Sequence, residues 1–342
     1  MNQIKPLLTL SALTVLLLVT VVSSLFFGAY SMSWKEVWMA FLQNENDATH
    51  FLMFNIRLPR IILAALVGAG LAISGAAIQG LFRNPLADQT LIGVSSGAML
   101  FAVLSIVFMG SILASFSAFF RQASVAIFAF IGGLLTTYLV YLLSKREGKT
   151  SVMTMLLAGI AISAFAAAIT GVFIYLSDDQ QLRDITFWSM GSFGGASWIQ
   201  VGIVFPIVIL GIIFLTQNAK ALNAILLGEM EANYLGIAVE KVKSRTILLT
   251  ALIVGVCISM SGLIGFVGLV IPHFLRILKG TDYRYLLKSS ALLGAVFLVF
   301  ADTLARTIIA PAELPIGILT AMVGAPFFLW LLVKSQQKTF VV

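Results

Sequence analysis

Charged and reactive side chains are scarce in this sequence, and each shortage excludes a class of protein. Charged residues make up 10% of the 342 residues, apolar residues make up 60%, and the mean hydropathy is +1.05. A soluble globular domain carries roughly 25% charged residues, so this composition excludes an ordinary soluble protein. Cys257 is the single cysteine, which rules out a disulfide within the chain. The two histidines, His50 and His273, lie far apart, and neither has a partner at metal-ligand spacing, so no metal site is predicted.

The sequence also lacks an energy source and catalytic groups of its own. The Gly148-Lys149-Thr150 triplet resembles the end of a phosphate-binding loop, but Leu143 stands where that motif needs glycine, so we interpret it as a basic turn. The apolar runs hold almost no carboxylate or histidine that could relay protons. Asp302 and Arg306, four residues apart, are predicted to pair with each other. No nucleophile and base are recognisable, so no catalytic residue is assigned. A transporter that depends on another subunit for its energy is favoured over a membrane enzyme. An ion-coupled secondary transporter is the alternative from another class.

The distribution of the positive charge indicates a membrane protein. The net charge is +7, but the cations lie in short segments and form no basic cluster with interleaved aromatic residues, so nucleic-acid binding is not predicted. Apolar runs of about 20 residues recur along the chain, as in proteins that cross a bilayer several times. Most Lys and Arg residues fall on one side if the chain crosses ten times. We therefore predict an all-α polytopic membrane protein, one domain over 1–342, with about ten transmembrane helices and both termini cytoplasmic. The predicted spans are 7–29, 57–82, 91–110, 122–143, 152–176, 198–217, two within 246–271, 289–306 and 316–333.

Two predicted spans carry rows of small residues at every fourth position. Such residues stack along one helix face and let two helices approach closely in lipid. We expect these rows to pack within one subunit, and the alternative is a place at the axis of a dimer. The first row is in the second span and the other in the fifth: Ala64, Gly68, Ala72, Ala76 and Gly80; Gly159, Ser163, Ala167 and Gly171.

Two further regions depart from the simple pattern of spans and short turns. The stretch from Arg245 to Arg276 is too long for one helix across a bilayer of about 30 Å, so we predict two helices with a break near residues 259–265. Residues 177–197 are polar, aromatic and glycine-rich, and we predict an external loop there. Trp188 within it and Trp198 directly after it are also suited to anchoring at the membrane interface.

Four motifs resemble the permease subunits of the FecCD type, which serve ABC importers for iron–siderophore complexes, haem and cobalamin. They are RNPLADQTLIGVSSGA at 83–98, GLIGFVGLVIPHFLR at 262–276, ADTLAR at 301–306 and ELPIGILTAMVGAPFF at 313–328. The resemblance implies a type II ABC importer permease in the bacterial inner membrane. It also implies three kinds of partner: a second copy of the chain, two cytoplasmic ATPase subunits and an extracytoplasmic substrate-binding protein. ATP and Mg would be bound by the ATPase, and this chain would need no cofactor.

The resemblance also assigns roles to two groups of residues. In segment 218–245 the dipeptide Leu-Gly occurs twice, each time a predicted helix break. The resemblance makes this segment the coupling element for the ATPase, and the alternative is a solvated loop. Arg57, Arg60 and Arg306 are expected at the outer surface, where the resemblance implies that they receive acidic residues of the binding protein; the alternative is contact with lipid phosphates. The coupling residues are Leu227, Gly228, Glu229, Ala232, Leu235 and Gly236.

The sequence LRDITFWSMGSFGGASW at 182–198 most resembles the haem-uptake branch of this family. On that basis we predict import of haem or a ferric siderophore, with cobalamin as the alternative cargo. The candidates for an external gate or pathway are Trp188, Met190, Gly191 and Ser192.

Overall fold

A computed structural model of the chain describes residues 6–42, 48–109 and 118–339, and helices dominate it. The α-helices are α1 (Pro6–Phe26), α2 (Trp34–Leu42), α3 (Ala48–Phe51), α4 (Leu58–Leu81), α5 (Val94–Leu104), α6 (Ala118–Ser144), α7 (Val152–Tyr175), α8 (Asp179–Met190), α9 (Trp198–Gln217), α10 (Ala219–Leu227), α11 (Glu229–Tyr234), α12 (Val239–Ser261), α13 (Val267–Lys279), α14 (Tyr283–Ala305) and α15 (Ile316–Thr339). Leu52–Arg57 and Ser105–Met109 are π-helical, and Gln89–Ile92 is a 3-10 turn. Strands β1 (Lys145–Arg146) and β2 (Lys149–Thr150) form a small antiparallel hairpin.

The predicted all-α polytopic fold is confirmed. Among the described residues, seven helices are long and apolar enough to cross a membrane: α1, the continuous α3–α4 unit, α6, α7, α9, α12 and α14. Val94–Phe108 and Ile316–Leu331 are shorter apolar helices. With α13, these helices account for the ten predicted spans. The predicted end of the third span at residue 110 lies outside the described residues. The orientation of the termini stays a prediction.

Helix α4 forms the centre of the structure. In the unit Ala48–Leu81, 89% of the most apolar window is buried, whereas the value is 11% for α1 and 17% for α7. Helices α9, α12, α13 and α14 all contact α4. Pro59 lies in its first turn, where a missing N–H costs nothing. The small side chains of the first row allow this dense packing, because all five residues are buried: Ala64, Gly68, Ala72, Ala76 and Gly80.

The predicted break in the long apolar stretch is also confirmed. Helix α12 ends at Ser261, Gly262 adopts a positive φ of 70°, and α13 begins at Val267. The loop predicted at 177–197 is wrong in part, because residues 179–190 form α8. Asp178 and Gln181 make a capping box at its start, and this local hydrogen bonding stabilises a helix whose composition is polar.

Candidate functional site

The three arginines expected at the outer surface are buried instead. Arg57, Arg60 and Arg306 are only 3%, 5% and 4% exposed. Arg60 binds Asp302 in a bidentate manner, with Nε 3.0 Å from both carboxylate oxygens and Nη2 2.8 Å from Oδ1. Its Nη1 donates to Glu313 Oε1 at 2.6 Å. The expectation of exposed cations is therefore wrong, because carboxylates of the same chain neutralise Arg60.

The other two arginines cap the end of α1. Arg57 donates to the backbone oxygens of Leu25 and Tyr30, and Arg306 donates to Ser24 O at 2.6 Å. The last carbonyls of a helix have no partner within the helix and carry a partial negative charge, so guanidinium groups are favourable there.

The predicted pair of Asp302 with Arg306 is present at 3.7 Å, although Asp302 contacts Arg60 more closely. We call Arg57, Arg60, Asp302, Arg306 and Glu313 the arginine cluster. Its docking role stays a prediction.

The predicted gate residues meet at a junction of three backbones. Ser192 N–H donates to Ser261 O at 2.8 Å, where α12 ends, and Ile316 N–H donates to Gly191 O at 3.1 Å, where α15 begins. Gly191 has a φ of 71°, and a Cβ atom there would lie 2.6 Å from Leu263 O. A Cβ on Gly317 would lie 2.3 Å from Met190 O. Glycine is thus required for α8, the α12–α13 break and α15 to touch.

Two neighbours of this junction were not predicted. Glu313 of the arginine cluster lies beside Gly194, so the cluster adjoins the segment that follows α8. A cavity of about 470 Å³ adjoins the same segment, since Gly195 and Ala196 contribute to its lining. Its lining mixes aromatic and hydroxyl side chains: Phe187, Trp188, Ser105, Ser192, Ser259 and Ser261. Trp198 donates from Nε1 to Phe54 O at 2.7 Å. Among the described residues, no group of three His, Cys, Asp or Glu side chains could hold a metal ion.

The segment from α10 to α11 lies at the opposite end of α4 from the arginine cluster. Arg60 is in the first turn of α4, whereas Gly80, in its last turn, contacts Tyr283, whose N–H is bound by Asn223 of α10. At 1.5 Å per residue this separation is about 30 Å. The two predicted Leu-Gly breaks are present, since α10 ends at Leu227 before Gly228 and the chain turns again at Gly236.

Large apolar side chains on this segment face away from the protein. Leu227, Met230, Tyr234 and Leu235 are between 64% and 85% exposed, and we call them the α10–α11 surface. Exposed apolar side chains close together in a segment are typical of interaction sites, and the coupling role of these residues stays a prediction. Ala232, in contrast, is fully buried in a small cluster with Ala224, Ile225 and Val239. It therefore supports the surface from below.

The second row of small residues divides into two halves. Gly159 is buried, and a Cβ there would lie 1.9 Å from Leu91 O; Ser163 Oγ is 2.9 Å from Ser96 Oγ. Ala167 and Gly171 are exposed, and nothing lies within 4 Å of a Cβ placed on Gly171. The second half of this row is thus open to lipid or to another chain.

Comparison with known proteins gives one consistent result. The profile of the FecCD transport family matches residues 16–334. The hemin transport system permease protein HmuU of Yersinia pestis is 44% identical over 98% of both chains. The cobalamin import system permease protein BtuC of Halobacterium salinarum is 40% identical over 85% of this chain and 76% of its own length. A metal-chelate type ABC transporter, solved in an inward-facing conformation, is 35% identical, with a TM-score of 0.83 over 95% of this chain and 99% of the other. This chain belongs to the FecCD transport family.

Proposed function

We propose that this chain is the permease subunit of a binding-protein-dependent ABC importer that carries haem or a ferric siderophore across the bacterial inner membrane. The similarity to a hemin permease over nearly the whole of both chains is the observation that carries the proposal. The motif at 182–198 supports haem in particular. Cobalamin is the second candidate, because a cobalamin permease is 40% identical.

The subunit arrangement is part of this proposal. Two copies of the chain form the channel, and α7 and α15 are suited to the dimer axis because both expose apolar side chains such as Phe165 and Met322. Two ATPase subunits bind ATP and Mg and dock on the α10–α11 surface. The chain itself is a transport subunit and not an enzyme.

The binding protein docks at the other end, near the arginine cluster. Glu313 is 38% exposed and occupies Nη1 of Arg60, so it competes with any acidic residue that the partner offers. Glu313→Gln should therefore tighten docking at low salt, and added salt should reduce the gain. Binding-protein affinity for the reconstituted permease across a salt series measures this. Equal affinity of variant and wild type at low salt would exclude Arg60 from docking.

Cargo is tested in cells that lack their own permeases for haem, siderophores and cobalamin. The chain is expressed with its ATPase and binding protein, and growth is measured with haem as the sole iron source. The proposal predicts growth on haem that requires all three components. Rescue of cobalamin-dependent growth alone would establish the second candidate, and growth without the ATPase would favour a secondary transporter.

A further inference from the structure

Lys243 is a buried cation whose hydrogen-bonding capacity is fully used. The side chain is 2% exposed, although lysine is almost never buried unless it is paired. Nζ has three protons to donate, and it has three oxygen acceptors: Glu229 Oε2 at 2.6 Å, Thr150 O at 2.8 Å and Glu240 Oε1 at 3.1 Å. No donor is left for water.

The three acceptors belong to three different elements. Glu229 opens α11, next to the α10–α11 surface, and Glu240 lies one turn before Lys243 on α12. Thr150 ends strand β2, 93 positions away in sequence. Glu240 Oε2 also accepts the Thr150 N–H at 2.8 Å, so α12 holds both backbone groups of that one residue.

Thr150 lies directly before a membrane helix. The next residue, Ser151, is the N-cap of α7 and accepts the Thr154 N–H. Thr150 lies in a short hairpin with a tight turn, which Glu147 and Gly148, both with positive φ, form. A shift of Thr150 must therefore shift the first turn of α7.

We propose that Lys243 is a positioning residue that ties the α10–α11 surface to the start of α7. When α11 moves, Glu229 moves with it. Lys243 then transmits this displacement to Thr150 and to the first turn of α7. The tie is short-ranged and charge-assisted, whereas a hydrophobic contact would let the elements slide. The inference rests on the proposed function, because it gives the α10–α11 surface a route to a pathway helix.

The test uses the full transporter in proteoliposomes and three variants. Lys243→Met removes the tie. Glu229→Gln weakens only the contact between Lys243 and α11 and leaves the other two acceptors in place. This variant therefore tests the connection even if Lys243→Met folds poorly. Lys241→Met is the matched control, since Lys241 is an exposed lysine two positions away. Stimulation of ATP hydrolysis by loaded binding protein is measured relative to each variant's own basal rate.

We expect Lys243→Met to reduce the stimulation roughly three- to tenfold, a typical range for coupling changes, and Glu229→Gln to reduce it less. Glu229→Gln should add little in the Lys243→Met background, because both changes break one connection. Lys241→Met should match wild type. Equal stimulation of all variants, with wild type stimulated, would overturn the inference and leave the proposed function intact.

A second readout does not depend on transport. Amide hydrogen exchange of the isolated permease should be faster at 145–155 in Lys243→Met and unchanged in Lys241→Met. If wild type shows no stimulation at all, the proposed function fails, and this exchange measurement still decides on the tie. Unchanged exchange at 145–155 in Lys243→Met would refute it.

Discussion

The contact between α4 and α14 at Gly68 provides a sharp test of the packing described above. A Cβ atom on Gly68 would lie 2.2 Å from the carbonyl oxygen of Gly294 and 2.7 Å from its carbonyl carbon. Both are backbone atoms in the middle of a helix, so no side-chain rotation can relieve the overlap. Gly68→Ala must therefore push the two helices apart.

The cost follows from two effects. Overpacking a well-packed interior costs about 1–3 kcal/mol. Separation also weakens the contacts along the rest of the interface, since a gap of 0.5–1 Å forfeits roughly a quarter to a half of a dispersion well. We expect Gly68→Ala to lower the free energy of unfolding by an amount at or above the top of that range.

The single cysteine supplies the assay. Cys257 is fully buried on α12 and faces Gly70 of α4, so a thiol-reactive fluorescent dye labels it only when this packing opens. The labelling midpoint of the purified permease is measured on heating. Gly202→Ala is the matched control, because nothing lies within 4 Å of a Cβ at Gly202 and alanine is the better helix former.

The expected order of midpoints is Gly202→Ala equal to or above wild type, and Gly68→Ala clearly below. Gly294→Ala strains the same contact, with a Cβ 2.3 Å from Gly68 O, so the double variant should lose less than the sum of the two single losses. A Gly68→Ala midpoint equal to that of Gly202→Ala would refute the close approach of α4 and α14.

Three further predictions concern the charged groups and the exposed surface. Asp302→Asn should destabilise the permease by about 3–5 kcal/mol because it strips a buried charge of its partner, whereas Glu313→Gln, at the solvent edge, should cost about 1 kcal/mol or less; the dye assay compares them. Tyr234→Asp places a charge on the 85% exposed tip of the α10–α11 surface, so it should abolish binding-protein-stimulated ATP hydrolysis without moving the labelling midpoint. Burial by itself would raise the pKa of Asp282, but hydrogen bonds from the Asn223 amide and the Arg284 N–H outweigh it and hold the pKa below its ordinary value of 3.8. The ionised Asp282 therefore stabilises the fold above pH 3.8, and this contribution is lost as the pH falls through the lowered pKa. Melts followed by circular dichroism should show the gap between wild type and Asp282→Asn closing below that pH.

Patterns within one helix were readable from the sequence. The row of small residues from Ala64 to Gly80 indicated close packing because side chains four apart share a face. The α12–α13 break followed from chain length, since one continuous helix would exceed the bilayer thickness. Both features depend on neighbours in sequence or on a fixed external dimension.

Features that depend on distant partners were not readable in the same way. Arg60 and its partner Glu313 are 253 positions apart in sequence, and Arg306 and Ser24 are 282 positions apart. The residues near these arginines in sequence therefore did not predict their burial. Lys243 could have been found from the sequence, because it shares a face of α12 with Val239 and Ile247, and a lone cation on a buried face must be paired. Its partner Thr150 could be found only from the fold.

This multi-pass membrane protein belongs to the FecCD family, and we propose that it imports haem or a ferric siderophore with the help of an ATPase and a binding protein. The most direct measurement is haem accumulation in proteoliposomes that contain the purified permease and its ATPase. Haem-loaded binding protein is added on the side of the membrane opposite the ATPase. We predict uptake that requires ATP, requires the binding protein and continues when ion gradients are collapsed. Uptake driven by an ion gradient without ATP, or ATP-driven uptake of cobalamin with none of haem, would contradict the account.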